Sequence, residues 1–438
     1  MKTSLVWFLV SLLCVAPIGR ADEQSDRLKK ALQAELLKAL LEDDDDEDKP
    51  KKPKNEPPAA ATPAAKAPAA KAAASTSQSP APAPEAEFGF EPFGEIGKDI
   101  YPSVAISLAT IEDDGTEDDP ADATVYGDKT SLIGVLLRNV RKGDRIVVEI
   151  SADAGFKPSR LSFVAKESEK LVVGCPKIKY DFDLLARNRQ SRPINVTFRV
   201  TRNDKALDEV DQTWTLRQVN DCPLLALAAQ PKKNGTVVGE PIPEMQYIFA
   251  AYVNENHPWV DSVLKDAKAT GLCSSFHGYQ GTEKDVLEQV NAIWTALQRK
   301  GITYSSITAT TGAKQVMAQH VRFLDESISS TQANCVDGSV MFASVLRKIE
   351  IESYLVLVPG HCYLAFSLDK EGTKLVAVET TMIGNQAGLA DAIQQASNNA
   401  TNGLFPNLKR FQSDQPGWML ISVSEARKFG IMPLPYTK

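Results

Sequence analysis

Three residues of this chain have the types and the order that covalent chemistry needs: Cys335, then His361, then Glu379. A cysteine nucleophile acts as its thiolate and needs an imidazole partner. The imidazole needs a carboxylate or amide to fix its tautomer and orientation. Together they suit acyl transfer, with the acyl group passing through a thioester on the sulfur. Gln332, just upstream in Gln332-Ala333-Asn334-Cys335-Val336-Asp337-Gly338, is a weaker candidate, as an oxyanion donor.

The elements that must position these groups can be read around them. Asn334 is an N-cap and Asp337 then falls at N3, a loose capping box. Cys335 becomes the first residue of a helix, where the macrodipole and free N–H groups favour a thiolate or an oxyanion. Val336, Val340, Met341, Phe342, Ala343, Val345 and Leu346 predict a helix buried nearly all round. Strands are predicted over Tyr354–Val358, His361–Leu368 and Leu375–Thr380, the first two joined by Pro359-Gly360. If the last two pair as an antiparallel hairpin, His361 and Glu379 share a face only when the register sum is even. Pairing Leu368 with Lys374, or with Gly372, satisfies this. The expectation is a His361–Glu379 contact on the side of the Cys335 sulfur, with Cys362 on the reverse side.

Asn334-Cys335-Val336-Asp337, the buried helix, Val358-Pro359-Gly360-His361 and Val378-Glu379-Thr380-Thr381 resemble the transglutaminase-like, papain-like cysteine superfamily over about residues 280–385. The resemblance implies Cys at a helix N-terminus with His and an acid on neighbouring strands. It also implies a transglutaminase, peptidase or amidase activity, or an inactive relative. The acid here is Glu379 where the family usually has Asp, and Cys362 follows the histidine where a small residue is common.

At 438 residues the chain is long enough for two or three domains. Its net charge of −7 and the lack of a long basic face argue against nucleic acid as a partner. Residues 1–21 read as a secretory signal peptide: Lys2, an apolar core from Leu5 to Val15, and Gly19-Arg20-Ala21 as the cleavage site. Residues 22–87 read as a spacer: a short amphipathic stretch (Asp26–Leu41), an acidic run, a basic run, then Ala, Pro and Lys. Residues 88–220 carry short β-branched runs at Val104–Ala109, Leu132–Leu137, Arg145–Ile150, Arg160–Val164, Leu171–Val173, Asn195–Val200 and Gln212–Arg217. That spacing predicts an all-β, immunoglobulin-like sandwich, with a small barrel as the alternative. Residues 221–438 would hold the cysteine domain, with residues 221–280 as its connector and a C-terminal tail packed on it. Helices are predicted from His257 to Ala269, from Thr282 to Gly301, and across Val316, His320, Phe323 and Leu324. The fold class is thus α+β.

Removing the signal leaves five cysteines, Cys175, Cys222, Cys273, Cys335 and Cys362, so at least one thiol stays free in a secreted chain. Cys175 with Cys222 and Cys273 with Cys362 are the pairings to consider. The histidines lack zinc spacing, and no cofactor or metal is expected. Two functional classes fit. One is a secreted or envelope (periplasmic) cysteine enzyme acting on protein or peptide amides by hydrolysis or acyl transfer. The other is a non-catalytic extracytoplasmic binding or structural protein that uses the same fold as a scaffold. In either, the β domain is where an envelope or matrix partner would bind.

Overall fold

The computed structural model describes residues 87–112, 119–306, 310–312, 316–385, 387–413, 415 and 417–436. The signal peptide and spacer expected over residues 1–86 lie outside them. The described chain is a mixed α+β protein.

Its N-terminal part is built on two larger sheets and also holds a two-stranded pair, Phe156–Lys157 with Lys179–Tyr180. One larger sheet runs Gly89–Gly94, Ile133–Val140, Glu169–Cys175, Thr124–Gly127; the other runs Asp99–Ile100, Val210–Leu216, Arg192–Arg202, Arg145–Ala152, Ser159–Val164. Period-2 alternation buries Ile146, Val148 and Ile150 on one strand and Val196, Phe198 and Val200 on its neighbour. They meet Val135, Leu137 and Val172 of the other sheet in one core. Gly174 lets the sheets close: a Cβ there would lie 3.1 Å from Val148 and 3.3 Å from Val135.

Three expectations need correction. Val104–Ala109 does not extend as a strand; Pro102–Ser107 is a helix. Pro102 suits its first turn, where no N–H is needed. Val104 is buried and Ser103 Oγ donates to the Asp221 carbonyl at 2.7 Å, so tertiary packing outweighs β-branching. Residues 221–280 are more than a connector. Asp221–Pro231 is a strand between Val237–Ile242 and Val316–His320, with Thr310–Gly312 outermost. Its Pro223 is tolerated at a register shift between Pro223 and Leu225. Val316–His320 is therefore a strand, with Val316 and Ala318 buried and Met317 exposed; the helix begins only at Leu324.

The C-terminal part packs the cysteine helix, Cys335–Lys348, on a four-stranded antiparallel sheet ordered Leu375–Val378, His361–Ser367, Ser353–Val358, Met419–Ser422. Met419–Ser422 is supplied by the tail and was not expected as a strand. Leu355, Leu357, Leu364, Phe366, Val376 and Val378 join the core cluster that holds this helix. Val356, Val358, Tyr363, Ala365 and Ala377 fill a second cluster with Ala396, Phe411 and Trp418 on the opposite face. No helix among the described residues is long and apolar enough to cross a membrane.

Candidate active site

The capping box forms as the residue types require. Asn334 Oδ1 accepts from the Asp337 N–H at 2.8 Å, and Asp337 Oδ2 accepts from the Asn334 N–H at 3.0 Å. It starts the helix at Cys335 and satisfies the N3 donor. The N–H groups of Cys335 and Val336 then have no acceptor within the helix. Asp337 is 0% exposed. Burial pushes its carboxyl up, opposed by hydrogen bonds from Asn334 and from Arg322. The Arg322 backbone N–H donates to Oδ1 at 2.8 Å and its Nη1 to Oδ2 at 2.8 Å.

Pro359-Gly360 turns the chain back so that Val358 pairs with His361. Gly360 sits at φ 74°, a region a side chain disfavours. On the next hairpin, Leu364 pairs with Val378 and Ser367 with Leu375, and the Leu368 N–H donates to the Lys374 carbonyl. This is the Leu368–Lys374 register, one of the two that bring His361 and Glu379 to one face. The ladder stops at Val378 and the chain enters a 3-10 helix over Thr380–Asn385. The contact is made just beyond it, with His361 Nε2 2.7 Å from Glu379 Oε2.

Glu379 is buried. Its second oxygen accepts from the Thr381 N–H at 3.2 Å and from Thr381 Oγ1 at 2.6 Å, which fixes the carboxylate for the imidazole. His361 is hydrogen-bonded to Glu379, and Cys335 is near enough to act on its ring. Burial opposes charging the ring, but the hydrogen bonds it donates toward Cys335 and Glu379, and the charges of both, outweigh it, and its pKa is pushed up to about 10. The structure thus brings Cys335, His361 and Glu379 together.

Cys362 differs from expectation. It points away from His361, as strand alternation requires, but this directs it toward the cysteine helix rather than away from it. It is buried in the helix-side core, interacts with Ser339 and lies near Cys335. Gln332 lies on the short strand Gln332–Ala333 and is exposed, and its side chain makes no hydrogen bond among the described residues.

Tyr304 is a neighbour that no sequence pattern marked. It lies on Thr303–Tyr304, paired in parallel with Gln332–Ala333, and is 50% exposed. Burial, then the charges of Cys335 and Glu379, push its phenol up. Gly384 seats that strand: a Cβ there would come within 2.7 Å of Thr303 Cα. His320, read as a core histidine, is partly exposed at the end of the strand Val316–His320, opposite Asp221, with Nδ1 3.1 Å from Gln218 Nε2.

All five described cysteines are free thiols, so neither pairing considered is formed. Burial pushes up the thiols of Cys175, Cys222, Cys273 and Cys362. Cys335 is the one that is not fully buried. Among the described residues no cluster of His, Cys, Asp and Glu is placed to hold a metal ion. No protein-family model and no curated protein sequence matches the chain.

Proposed function

We propose that this protein is a cysteine-dependent enzyme that acts on amides of proteins or peptides through an acyl-enzyme. The observation that carries the reading is the pairing of His361 with the buried, Thr381-held carboxylate of Glu379, with Cys335 at the start of its helix near enough to act on the ring. We read the C-terminal part as transglutaminase-like (papain-like) and the N-terminal sheets as an immunoglobulin-like sandwich. From the pattern of residues 1–21 we place its action outside the cytoplasm, in the envelope or secreted.

In this mechanism the Cys335 sulfur attacks the amide carbon while His361 holds the proton. The oxyanion forms against the N–H groups of Cys335 and Val336, with the Tyr304 hydroxyl and the Gln332 amide as further donors. His361 then gives its proton to the departing amine, leaving a thioester on Cys335. Water or a second amine, deprotonated by His361, attacks that thioester. The products are an acid or a new amide, and the thiol is restored. Glu379 keeps one imidazole nitrogen engaged throughout.

The test is alkylation of the folded protein with iodoacetamide at neutral pH, followed by mapping of the modified residue. Cys335 should react first and alone, and Cys335→Ser should abolish both labelling and amide-directed activity while keeping the fold. A folded protein whose Cys335 resists alkylation would turn the reading toward the non-catalytic scaffold.

A further inference from the structure

The N-terminal sheets reach the first turn of the cysteine helix through a short chain of buried contacts. Asn220, buried between the strands Val210–Leu216 and Asp221–Pro231, grips both backbone polar groups of Val321. Its carbonyl accepts from the Val321 N–H at 2.8 Å, and its Nδ2 donates to the Val321 carbonyl at 2.9 Å. The same Nδ2 donates to Glu326 Oε2 at 2.7 Å. That oxygen also accepts from the Phe323 N–H at 2.8 Å. Arg189, from the N-terminal part, lies 4.4 Å over the Phe323 ring and reaches Asn220 Oδ1 at 3.3 Å. Val321 is thus held from the N-terminal side at both of its backbone polar atoms, and Phe323 is held there through its ring.

Between them sits Arg322, whose backbone and guanidinium both bind the Asp337 carboxylate. That carboxylate in turn holds the N–H of Asn334, the residue before Cys335. We propose that Arg322 and Asn220 are positioning residues for the nucleophile, and that the N-terminal sheets are part of its machinery. This rests on the reading of Cys335 as nucleophile.

Two physical effects follow from the arrangement. The first is geometric: Asn334, whose peptide bond to Cys335 carries one of the N–H groups that would face an oxyanion, is registered against Arg322 through Asp337. The second is electrostatic. A buried carboxylate two residues from the sulfur would oppose a thiolate, and Arg322 supplies the charge that offsets it. The other titratable groups near the sulfur are His361, Glu379, Tyr304 and Cys362. Neither substitution below touches them.

The experiment is the rate of Cys335 alkylation by iodoacetamide against pH, measured on the full chain for wild type, Arg322→Met, Arg322→Lys and Asn220→Ala, with thermal unfolding in parallel. Arg322→Met should slow alkylation at pH 7 about tenfold and move the profile to higher pH by about one unit. Arg322→Lys should recover most of the rate, and Asn220→Ala should slow it at an unmoved profile. The lysine and Asn220 variants carry the test if the methionine variant does not fold. A reactive wild type whose folded variants lose only thermal stability, with rate and profile unchanged, overturns the positioning role and leaves the proposed enzyme standing. An unreactive wild-type Cys335 overturns the enzyme reading itself, and the positioning role with it.

Discussion

With its pKa raised to about 10, His361 carries its proton across the neutral range, so the ring beside the Cys335 sulfur is an imidazolium. The folded ring holds a proton that the unfolded ring, at its ordinary value of 6.5, gives up. Its contribution to stability is therefore complete below pH 6.5 and is lost as pH rises through about 10. His361→Gln should remove that dependence: the stability gap between wild type and variant narrows from pH 6.5 to 10, as denaturant unfolding at several pH values would record. The same variant should slow Cys335 alkylation at pH 7 by about tenfold or more. A gap that widens with pH would mean the ring is neutral in the fold. At this scale Cys335, His361 and Glu379 were legible because a nucleophile, a base and an acid in order constrain one another. Thr381, Arg322 and Tyr304 were not. A threonine, an arginine and a tyrosine have many surface roles, and only the turn after Val378 and the seating of Thr303–Tyr304 give them this one.

The cysteine helix is placed by a close approach at Gly338, where an added Cβ would lie 3.1 Å from Thr380 Oγ1 and 3.2 Å from its Cβ. Ser339 Oγ, on the same turn, is 3.1 Å from Thr380 Oγ1 and donates to the Cys335 carbonyl at 2.7 Å. Thr380 is the residue after Glu379, so the distance between helix and sheet sets the distance between sulfur and acid. Gly338→Ala brings a helix-propensity gain of about 1 kcal/mol. It also pushes Thr380 outward by a few tenths of an ångström. We expect thermal stability to change little and Cys335 alkylation to fall several-fold, with Gly338→Leu losing both. Full reactivity in a stable Gly338→Leu variant would show that the approach is not needed. Helices with caps and an apolar stripe were legible from sequence, as Thr282 with Asp285 and Asn334 with Asp337 illustrate. Strands made of alanine and leucine were not. In Asp221–Pro231 the residues fit a helix or a loop equally well, and only the partner strands on both sides hold them extended. Val316–His320 was misread for a related reason: five residues are too few to separate a period of two from one of 3.6.

The end of the described chain ties both halves of the molecule together, which no local pattern could show. The Met432 N–H donates to the Ser107 carbonyl at 2.9 Å, in the helix that packs beside the N-terminal sheets. The Leu434 N–H donates to the Ala251 carbonyl at 2.8 Å, and Asn254 Nδ2 donates to the Leu434 carbonyl at 3.0 Å. Arg427 Nη1 donates to the Ile431 carbonyl at 2.9 Å. Ile431 and Leu434 are 0% and 1% exposed, inside the cluster that also holds Val148, Phe198, Trp294 and Phe342. One core of this kind should melt as one unit. Ending the chain after Gly430 removes two fully buried aliphatic side chains, each contributing about 1.5–3 kcal/mol. The expected loss, about 3–6 kcal/mol, is a large share of the 5–15 kcal/mol that about describes a folded domain. Hydrogen exchange resolved by peptide reads the outcome at both ends of the molecule. Protection in the strand Arg192–Arg202 and in the helix Cys335–Lys348 should fall together in the truncated protein. If the helix loses protection while the strand keeps all of its own, the two halves are separate folding units. The contacts through Asn220 and Ser107 would then join bodies that fold independently.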